Sequence, residues 1–143
     1  MDKKFDVVIV GTGAAGLYAA LNFPESVNIL LVSKRELQLS NSSLAQGGVA
    51  CVLDTVHDSY KLHITDTLIA GKYKNTLSAV EKLVTEGPSD VLKIKDLGVD
   101  FDLNEDGTMC KTLEAGHSRN RIVHHKDSTG KAIVDGLIAK VTQ

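Results

Sequence analysis

The chain has 143 residues, of which 43% are hydrophobic and 24% are charged, and its formal net charge is −2. This length and composition are typical of one globular domain with a core of its own, and the N-terminus lacks the layout of a signal peptide. The near-neutral charge argues against a nucleic-acid-binding surface, and the longest apolar run, Val7–Val10, is too short to cross a bilayer.

The first elements along the chain predict a βαβ unit. Phe5–Val10 and Val27–Val32 are apolar runs, which are typical of parallel strands covered on both faces. Between them, Gly11–Gly16 forms a glycine-rich turn, Leu17–Asn22 continues as a helix, and Pro24 ends that helix. This order predicts an α/β fold that begins with a Rossmann-like unit.

The middle of the chain predicts a helical excursion. Apolar residues at helical spacing predict one helix over His57–Ala70 and another over Thr76–Glu86. Gly87 and Pro88 are expected to break the chain and to start a further helix that ends near Leu97.

The last third predicts a small hairpin and a final helix. Short strands are expected at Val99–Leu103 and Lys111–Leu113, with a turn at Asn104–Gly107 between them. An amphipathic helix is expected over Thr129–Val141. Because a βα pattern normally continues into another strand, residues 1–143 are expected to be the N-terminal part of a truncated domain whose sheet is completed after Gln143.

The glycine turn predicts a dinucleotide site. Gly11, Gly13 and Gly16 match G-x-G-x-x-G between a strand and a helix, which is the context that this pattern requires. The glycines permit a tight turn, a close approach of the backbone to a diphosphate, and close packing of the helix on the strand. An ordinary glycine-rich turn without a ligand is the alternative. The candidate diphosphate-binding residues are Gly11, Thr12, Gly13, Ala14, Ala15 and Gly16.

The end of the second strand distinguishes between cofactors. An NAD site usually has an acidic residue there, which binds the ribose hydroxyls. This chain has Ser33 and Lys34 at that place, and Glu36 follows too late. The missing acid disfavours NAD, whereas Lys34 is placed to reach a phosphate or the adenosine end of another dinucleotide.

A family resemblance follows from the next motif. Asn41–Gly48 reads N-S-S-L-A-Q-G-G and resembles the S-[ST]-x-x-A-Q-G-G segment of the fumarate reductase and succinate dehydrogenase flavoprotein superfamily. Asp66–Gly71, Glu114–Ser118 and Arg121–Gly130 resemble its D-T-L-x-A-G, E-G-G-H-S and R-I-x-H-x-x-D-x-T-G segments. Within the superfamily the chain is most similar, along essentially its whole length, to the L-aspartate oxidase family of NAD biosynthesis.

The resemblance implies FAD as the cofactor. The hydroxyls of Ser42 and Ser43, the amide of Gln46 and two adjacent glycines also suit the polar edges and flat faces of a flavin, although a polar loop before a strand is the alternative. A histidine stands at the place of Asn41 in membrane succinate dehydrogenases and binds FAD covalently, so FAD is expected to be non-covalent here. The further candidate cofactor-binding residues are Lys34, Asn41, Ser42, Ser43, Leu44, Ala45, Gln46, Gly47 and Gly48.

The resemblance also implies an FAD-dependent oxidoreductase. The family transfers a hydride from L-aspartate to the flavin and forms iminoaspartate, and oxygen or fumarate then reoxidises the flavin. Quinolinate synthase is the implied protein partner, because iminoaspartate is unstable. The residues that bind the substrate carboxylates lie beyond Gln143 in the family, so this chain alone is expected to be inactive. Two alternatives are the flavoprotein subunit of a soluble fumarate reductase and a non-catalytic nucleotide-binding module.

Glu114 is the candidate catalytic residue. By resemblance it corresponds to the acidic residue that faces the amino group of the substrate, and the alternative is a surface glutamate. Ala115 replaces the glycine of the family pattern. His117 is expected either near the flavin or as a hydrogen-bonding group of the core.

No metal site and no disulfide are predicted. Residues 102–107 resemble the start of a calcium loop, but the glutamate that such a loop requires is replaced by Leu113. His124 and His125 have no partner at metal-ligand spacing. Cys51 and Cys110 lack C-x-x-C spacing, which suggests two small buried residues of a reduced, cytoplasmic protein.

Overall fold

The computed structural model describes residues 4–142 and begins with a βαβ unit. Strand β1 covers Val7–Val10, helix α1 covers Ala14–Ala20, and strand β2 covers Ile29–Val32. The two strands pair in parallel, with Val7 opposite Ile29. The predicted βαβ unit is therefore confirmed. Its two strands are shorter than the apolar runs from which they were predicted.

The prediction that the first strand is covered on both faces is wrong for the part of the chain that the structure describes. Val8 is 56% exposed and Val10 is 83% exposed. Val7 and Ile9, which alternate with them, are half-buried. The alternation gives β1 one packed face and one bare face, because no element within residues 4–142 covers Val8 and Val10.

A second, antiparallel sheet has three short strands. Strand β3 covers Val49–Ala50, β4 covers Lys111–Thr112 and β5 covers Ile122–Val123. Their order is β3-β5-β4, so that β5 lies in the centre. Both residues of β5 are buried. Strand β4 lies within the strand predicted at Lys111–Leu113, whereas β3 and β5 were not predicted.

The predicted strand at Val99–Leu103 is wrong as a strand. Only an isolated antiparallel bridge joins Leu103 to Met109, and the turn between them is tied by a 2.8 Å hydrogen bond from Asn104 N to Thr108 O. The preceding residues instead direct the side chains of Val99 and Phe101 into the core, where each is 3% exposed.

The two central helices differ from prediction in their bounds. Helix α2 covers Tyr60–Ala70, and the hydroxyl of Ser59 caps it by accepting a hydrogen bond from Leu62 N. Helix α3 runs without a break over Leu77–Asp96, so the predicted break at Gly87 and Pro88 is wrong.

Local chemistry and burial explain the continuous α3. A side chain before a proline disfavours the helical conformation, and Gly87 has no side chain. Pro88 costs one backbone hydrogen bond, but it lies on the stripe that α3 buries. The buried residues of this stripe are Val80, Val84, Pro88 and Val91.

The final helix, α4, covers Thr129–Val141, as predicted. It packs on α1, and Leu17, Val134 and Leu137 form the centre of their contact, each at most 1% exposed. A second cluster joins α3 to the antiparallel sheet through Val91, Phe101, Met109, Cys51 and Val123, together with Val99. Within residues 4–142, no helix combines the length and the apolar character that a membrane crossing requires.

Candidate functional site

The glycine turn joins β1 to α1. Gly11 has a φ of +111°, which side chains rarely adopt, and its N–H donates to Val32 O over 2.8 Å. A Cβ added at Gly16 would lie 2.0 Å from Gly11 O. The backbone therefore requires glycine at both positions, and the geometry agrees with the roles predicted for them in the turn and in helix–strand packing.

The middle glycine faces a loop from further along the chain. Gly13 caps the N-terminus of α1, and a Cβ added there would lie 3.0 Å from Ser42 Oγ. The same hydroxyl accepts a 3.2 Å hydrogen bond from Ala14 N. The turn and the loop that contains Ser42 thus form one surface, and Ala15 lies exposed beside it.

A cavity of about 700 Å³ opens at this surface. Its volume lies in the range of about 300–1,000 Å³ that small-molecule sites usually have. Lys34 and Arg35 bring two positive charges to it, and Arg35 had not been singled out in the sequence. The lining residues are Val10, Gly11, Thr12, Gly13, Val32, Ser33, Lys34, Arg35, Leu39, Ser40, Asn41, Ser42 and Leu44.

The loop that contains Ser40, Ser42 and Ser43 is held in shape largely by hydrogen bonds of its own side chains. Ser40 N donates to Ser43 Oγ and Ser43 N donates to Ser40 Oγ, each over 3.1 Å. The Ser43 hydroxyl donates to Gln38 O over 2.6 Å. Ser43 therefore shapes the loop, whereas Asn41 and Leu44 are exposed at the cavity.

The segment Ala45–Gly48 rests on the start of α4 and on β5. Gly130 N donates to Ala45 O over 3.0 Å, and a Cβ at Gly130 would lie 2.0 Å from Ser42 O. A Cβ at Gly48 would lie 2.4 Å from a side-chain carbon of Ile122. Gln46 and Gly47 remain exposed. Gly130 of the D-x-T-G motif thus packs against the loop that contains Ser42 and Ala45, a contact that the sequence did not predict.

Glu114 lies at the same end of the molecule. A Cβ added at Gly47 would lie 3.9 Å from Glu114 Oε2. The glutamate follows β4 and is exposed, as its neighbours Ala115 and Gly116 are. The structure thus brings the candidate catalytic carboxylate next to the loop of candidate cofactor-binding residues, although 67 positions separate Glu114 from Gly47 by their numbers.

A buried charge cluster contacts the segment that follows Glu114, through Ser118 and Asp66. The Arg121 side chain is 1% exposed, and its Nε and one terminal nitrogen donate to the two carboxylate oxygens of Asp58, each over 2.8 Å. Its other terminal nitrogen donates to Asp66 Oδ2 over 2.5 Å. Sequence reasoning missed the role of this arginine. The available signal was an arginine directly before the apolar pair of β5, where a charge is buried only with a partner.

The contacts within the cluster shift the pKa of each of its three groups so that the charged form is favoured. Burial raises the pKa of Asp58, but hydrogen bonds from Arg121 and from Ser59 N outweigh it, so this pKa lies below its ordinary value. Burial likewise raises the pKa of Asp66, and hydrogen bonds from Arg121 and Ser118 outweigh it and lower that pKa. The bond to Asp58, opposed by burial, raises the pKa of Arg121. All three groups therefore remain charged near neutral pH.

The buried cysteine and the histidine pair lie outside this cluster. Burial raises the pKa of Cys51 to about 12, so its thiol stays protonated at neutral pH. His124 Nδ1 lies 3.0 Å from Asp102 Oδ2. Among the residues that the structure describes, no three His, Cys, Asp or Glu side chains are grouped as metal ligands.

Two curated relatives of this chain have one name in common. L-aspartate oxidase of Clostridium perfringens is 46% identical over 141 residues, which are 99% of this chain and 31% of that protein. L-aspartate oxidase of Acinetobacter baylyi is 45% identical over 139 residues, which are 97% of this chain and 25% of that protein. The chain thus spans about a quarter to a third of the length of these two relatives.

Solved structures agree on the fold. Mycobacterium smegmatis Sdh1 superposes with a TM-score of 0.89 at 32% identity, over 95% of this chain and 23% of that one. An E. coli quinol fumarate reductase FrdA superposes with a TM-score of 0.91 at 28% identity, over 97% of this chain and 24% of that one. The FAD binding domain family matches residues 6–143. The chain therefore belongs to the FAD binding domain family, and FAD is its cofactor.

Proposed function

We propose that the whole protein is a cytoplasmic FAD-dependent oxidoreductase that converts L-aspartate to iminoaspartate for NAD biosynthesis. The observation that carries the proposal is the carboxylate of Glu114 beside Gly47, at the edge of the cofactor site. The relatives named L-aspartate oxidase support it over nearly the whole of this chain. Oxygen or fumarate is the proposed electron acceptor, and quinolinate synthase is the proposed partner that takes the unstable product.

The residues present fit FAD. Gly13 leaves room above the turn that a side chain would fill, and the cavity beside it contains the cations of Lys34 and Arg35 for a diphosphate. FAD supplies the acceptor for the hydride, which carries both of the electrons that leave the substrate. Asn41 lies at the cavity and has no group that forms a covalent link to a flavin, which supports non-covalent binding.

The remaining candidates divide into a turn and a loop. We propose that Gly11–Gly16 surround the diphosphate and that Asn41–Gly48 lie along the flavin. In this arrangement Ser42 and Ser43 keep the loop in shape, because their hydroxyls bond to Ala14 N and Gln38 O. Gln46 and Gly47 are exposed, and Gly47 lies beside Glu114, where we propose that the substrate binds.

Glu114 gives the site a preference for an amino acid. A carboxylate that meets the substrate ammonium group forms a charge-assisted hydrogen bond. Succinate and fumarate have the same two carboxylates as aspartate but no amino group. The proposed site therefore favours L-aspartate over a plain dicarboxylate as the electron donor.

The decisive experiment compares two electron donors. The whole protein, purified with its flavin, is mixed anaerobically with L-aspartate or with succinate, and bleaching of the flavin absorption is followed. We expect L-aspartate to reduce the flavin rapidly and succinate to reduce it far more slowly. Reduction by succinate alone would refute the proposal in favour of a soluble fumarate reductase flavoprotein, the second candidate, which the structural likeness to FrdA supports.

The 143-residue chain by itself supports a further expectation. In the family that this chain resembles, the residues that bind the substrate carboxylates lie beyond Gln143, so we expect this chain to show no L-aspartate oxidase turnover. The absorption spectrum of the purified chain shows whether it retains flavin. Bound flavin without turnover would match the third candidate, a nucleotide-binding module, for the chain in isolation.

A further inference from the structure

The loop that carries Glu114 is fastened to helix α2 at its far end. Asp66 Oδ2 accepts hydrogen bonds from Ser118 N and from Ser118 Oγ, each over 2.8 Å. Asp66 lies on the half-buried side of α2 and is 12% exposed in its side chain. Two bonds from one residue to one carboxylate oxygen fix both the position and the orientation of the end of the loop.

The loop itself is a tight turn with little freedom. Gly116 has a φ of +84°, and His117 N donates to Glu114 O over 3.2 Å. Only three residues separate Glu114 from Ser118. A shift of Ser118 is therefore passed on to the backbone of Glu114, whose carboxylate lies beside Gly47.

Arg121 holds the carboxylate to which the loop is fastened. Its contact with Asp66 shares the oxygen that Ser118 uses, while its other two nitrogens grip Asp58. A guanidinium forms such bidentate contacts in one plane, so the bond to Asp58 also fixes the direction of the bond to Asp66. The end of the loop is thereby tied both to α2 and to the segment before it.

The same guanidinium also orients a side chain of the loop. A terminal nitrogen of Arg121 lies 3.2 Å from His117 Nδ1. Because a guanidinium has only donors, His117 Nδ1 must accept in this contact, and the proton of the neutral ring then lies on Nε2. His117 is half-buried, and its ring centroid lies 5.6 Å from that of His63. Arg121 therefore selects one tautomer of His117, which lies in the same loop as Glu114.

We propose that Arg121, Asp66 and Ser118 are positioning residues that hold the Glu114 loop against the cofactor site and so determine its preference for an amino-acid substrate. This inference rests on the proposed function. None of the three needs to touch the substrate. Their effect is to keep the carboxylate of Glu114 at the place where an ammonium group is bound, and to present His117 as a donor at Nε2.

The kinetic test uses two substrates that differ in the amino group. Asp66→Asn keeps the size of the side chain but weakens its bonds to Ser118 and Arg121. In the whole protein we expect it to lower kcat/KM for oxidation of L-aspartate about tenfold. Reduction of fumarate, driven by a chemically reduced dye, should change less than about twofold, because fumarate has no amino group for Glu114 to bind.

Two further variants guard against a general loss of structure. Asp135→Asn makes the same chemical change at an exposed ion pair on α4 and should leave both reactions unchanged. Ser118→Ala removes one of the two bonds to Asp66 and leaves every ion pair in place. We expect it to reduce the reaction of L-aspartate about threefold and to spare that of fumarate. Equal losses in both reactions, or no loss in either, would overturn the positioning role.

A second readout needs no activity. Nitrogen NMR of the histidine rings in the 143-residue chain distinguishes an Nδ1 that accepts from one that carries a proton. We expect His117 to show an unprotonated Nδ1, and we expect Arg121→Lys to give a mixture of tautomers. A mixture of His117 tautomers already in the unchanged chain would contradict the proposed contact between Arg121 and His117. If the whole protein fails to oxidise L-aspartate while His117 shows an unprotonated Nδ1, the proposed function is refuted. The contacts by which Arg121, Asp66 and Ser118 hold the loop then stand independently of that function.

Discussion

His63 is buried in α2 without a hydrogen-bond partner for its Nδ1. The residue is 6% exposed, and the ring lies near the charge cluster. Burial, reinforced by the positive charge of Arg121 and by His117, lowers the pKa of His63 to about 4, against the opposing effect of Asp58 and Asp66. The folded chain therefore contains a histidine that stays neutral at pH values well below those at which histidine ordinarily titrates.

This residue predicts an acid sensitivity with a defined window. An unfolded histidine titrates near pH 6.5, so between about pH 6.5 and pH 4 the unfolded chain binds more protons than the folded one. The free energy of unfolding should then fall as the pH falls through this window. Urea unfolding at a series of pH values measures it, and His63→Gln should flatten the curve.

The two aspartates of the cluster act in a separate range. Their pKa values are lowered in the folded chain, so their contribution is complete above the value of an unfolded aspartate, about 3.9, and is lost as the pH falls further. A wild-type curve that stays level down to pH 4, or a His63→Gln curve as steep as the wild type, would contradict the assignment to His63.

Single residues show how far the sequence could predict the site. Gly11 and Gly16 could be assigned because a tight turn acts between neighbours in sequence. The bonds of Arg121 to Asp58 and Asp66 could not, since 63 and 55 positions separate the partners. No local pattern reports such a pair. The role expected for Glu114 followed only from the family resemblance, and no local pattern predicted that it lies beside Gly47.

At the scale of elements, the capping of α2 matters because this helix carries Asp66. Ser59 caps α2 by accepting from Leu62 N over 3.2 Å. Ser59→Ala should therefore lower the free energy of unfolding by about 1 kcal/mol. Thr76 stands at the same place before α3 but makes no side-chain capping bond, so Thr76→Ala is the matched control. Urea unfolding of both variants checks the difference, and equal losses would show that the capping bond contributes nothing.

The elements that were predicted correctly have patterns that repeat over several turns or signals between neighbours in the sequence. Helix α4 shows an apolar stripe over three turns, and the β1–α1–β2 order follows from two apolar runs around a glycine turn. The bounds of α3 were wrong because Pro88 was interpreted locally, whereas its burial within the stripe of α3 decides the outcome. The bare face of β1 was missed for a similar reason, since coverage depends on elements far away in sequence.

At the scale of the whole molecule, the proposed cofactor site joins parts that lie far apart in the chain. The glycine turn supplies the floor, the loop at Ser42 supplies a wall, and the start of α4 supports that loop through Gly130. A ligand that bridges turn and loop adds contacts that exist only in the folded chain. Such a ligand stabilises the fold by mass action, because it binds the native state and not the unfolded one.

FAD should therefore raise the unfolding temperature of the 143-residue chain in proportion to the logarithm of its concentration. At a hundred times the dissociation constant the added stability is about 2.7 kcal/mol. Riboflavin, which lacks the diphosphate, should give little rise if the glycine turn provides most of the affinity. Gly13→Ala should abolish the rise with FAD. It should lower the unfolding temperature without ligand only slightly, because the φ of Gly13 is −75° but the residue caps α1 and its Cβ would lie 3.0 Å from the Ser42 hydroxyl. Differential scanning fluorimetry measures all three, and an equal rise with riboflavin would place the main binding energy at the loop instead of the turn.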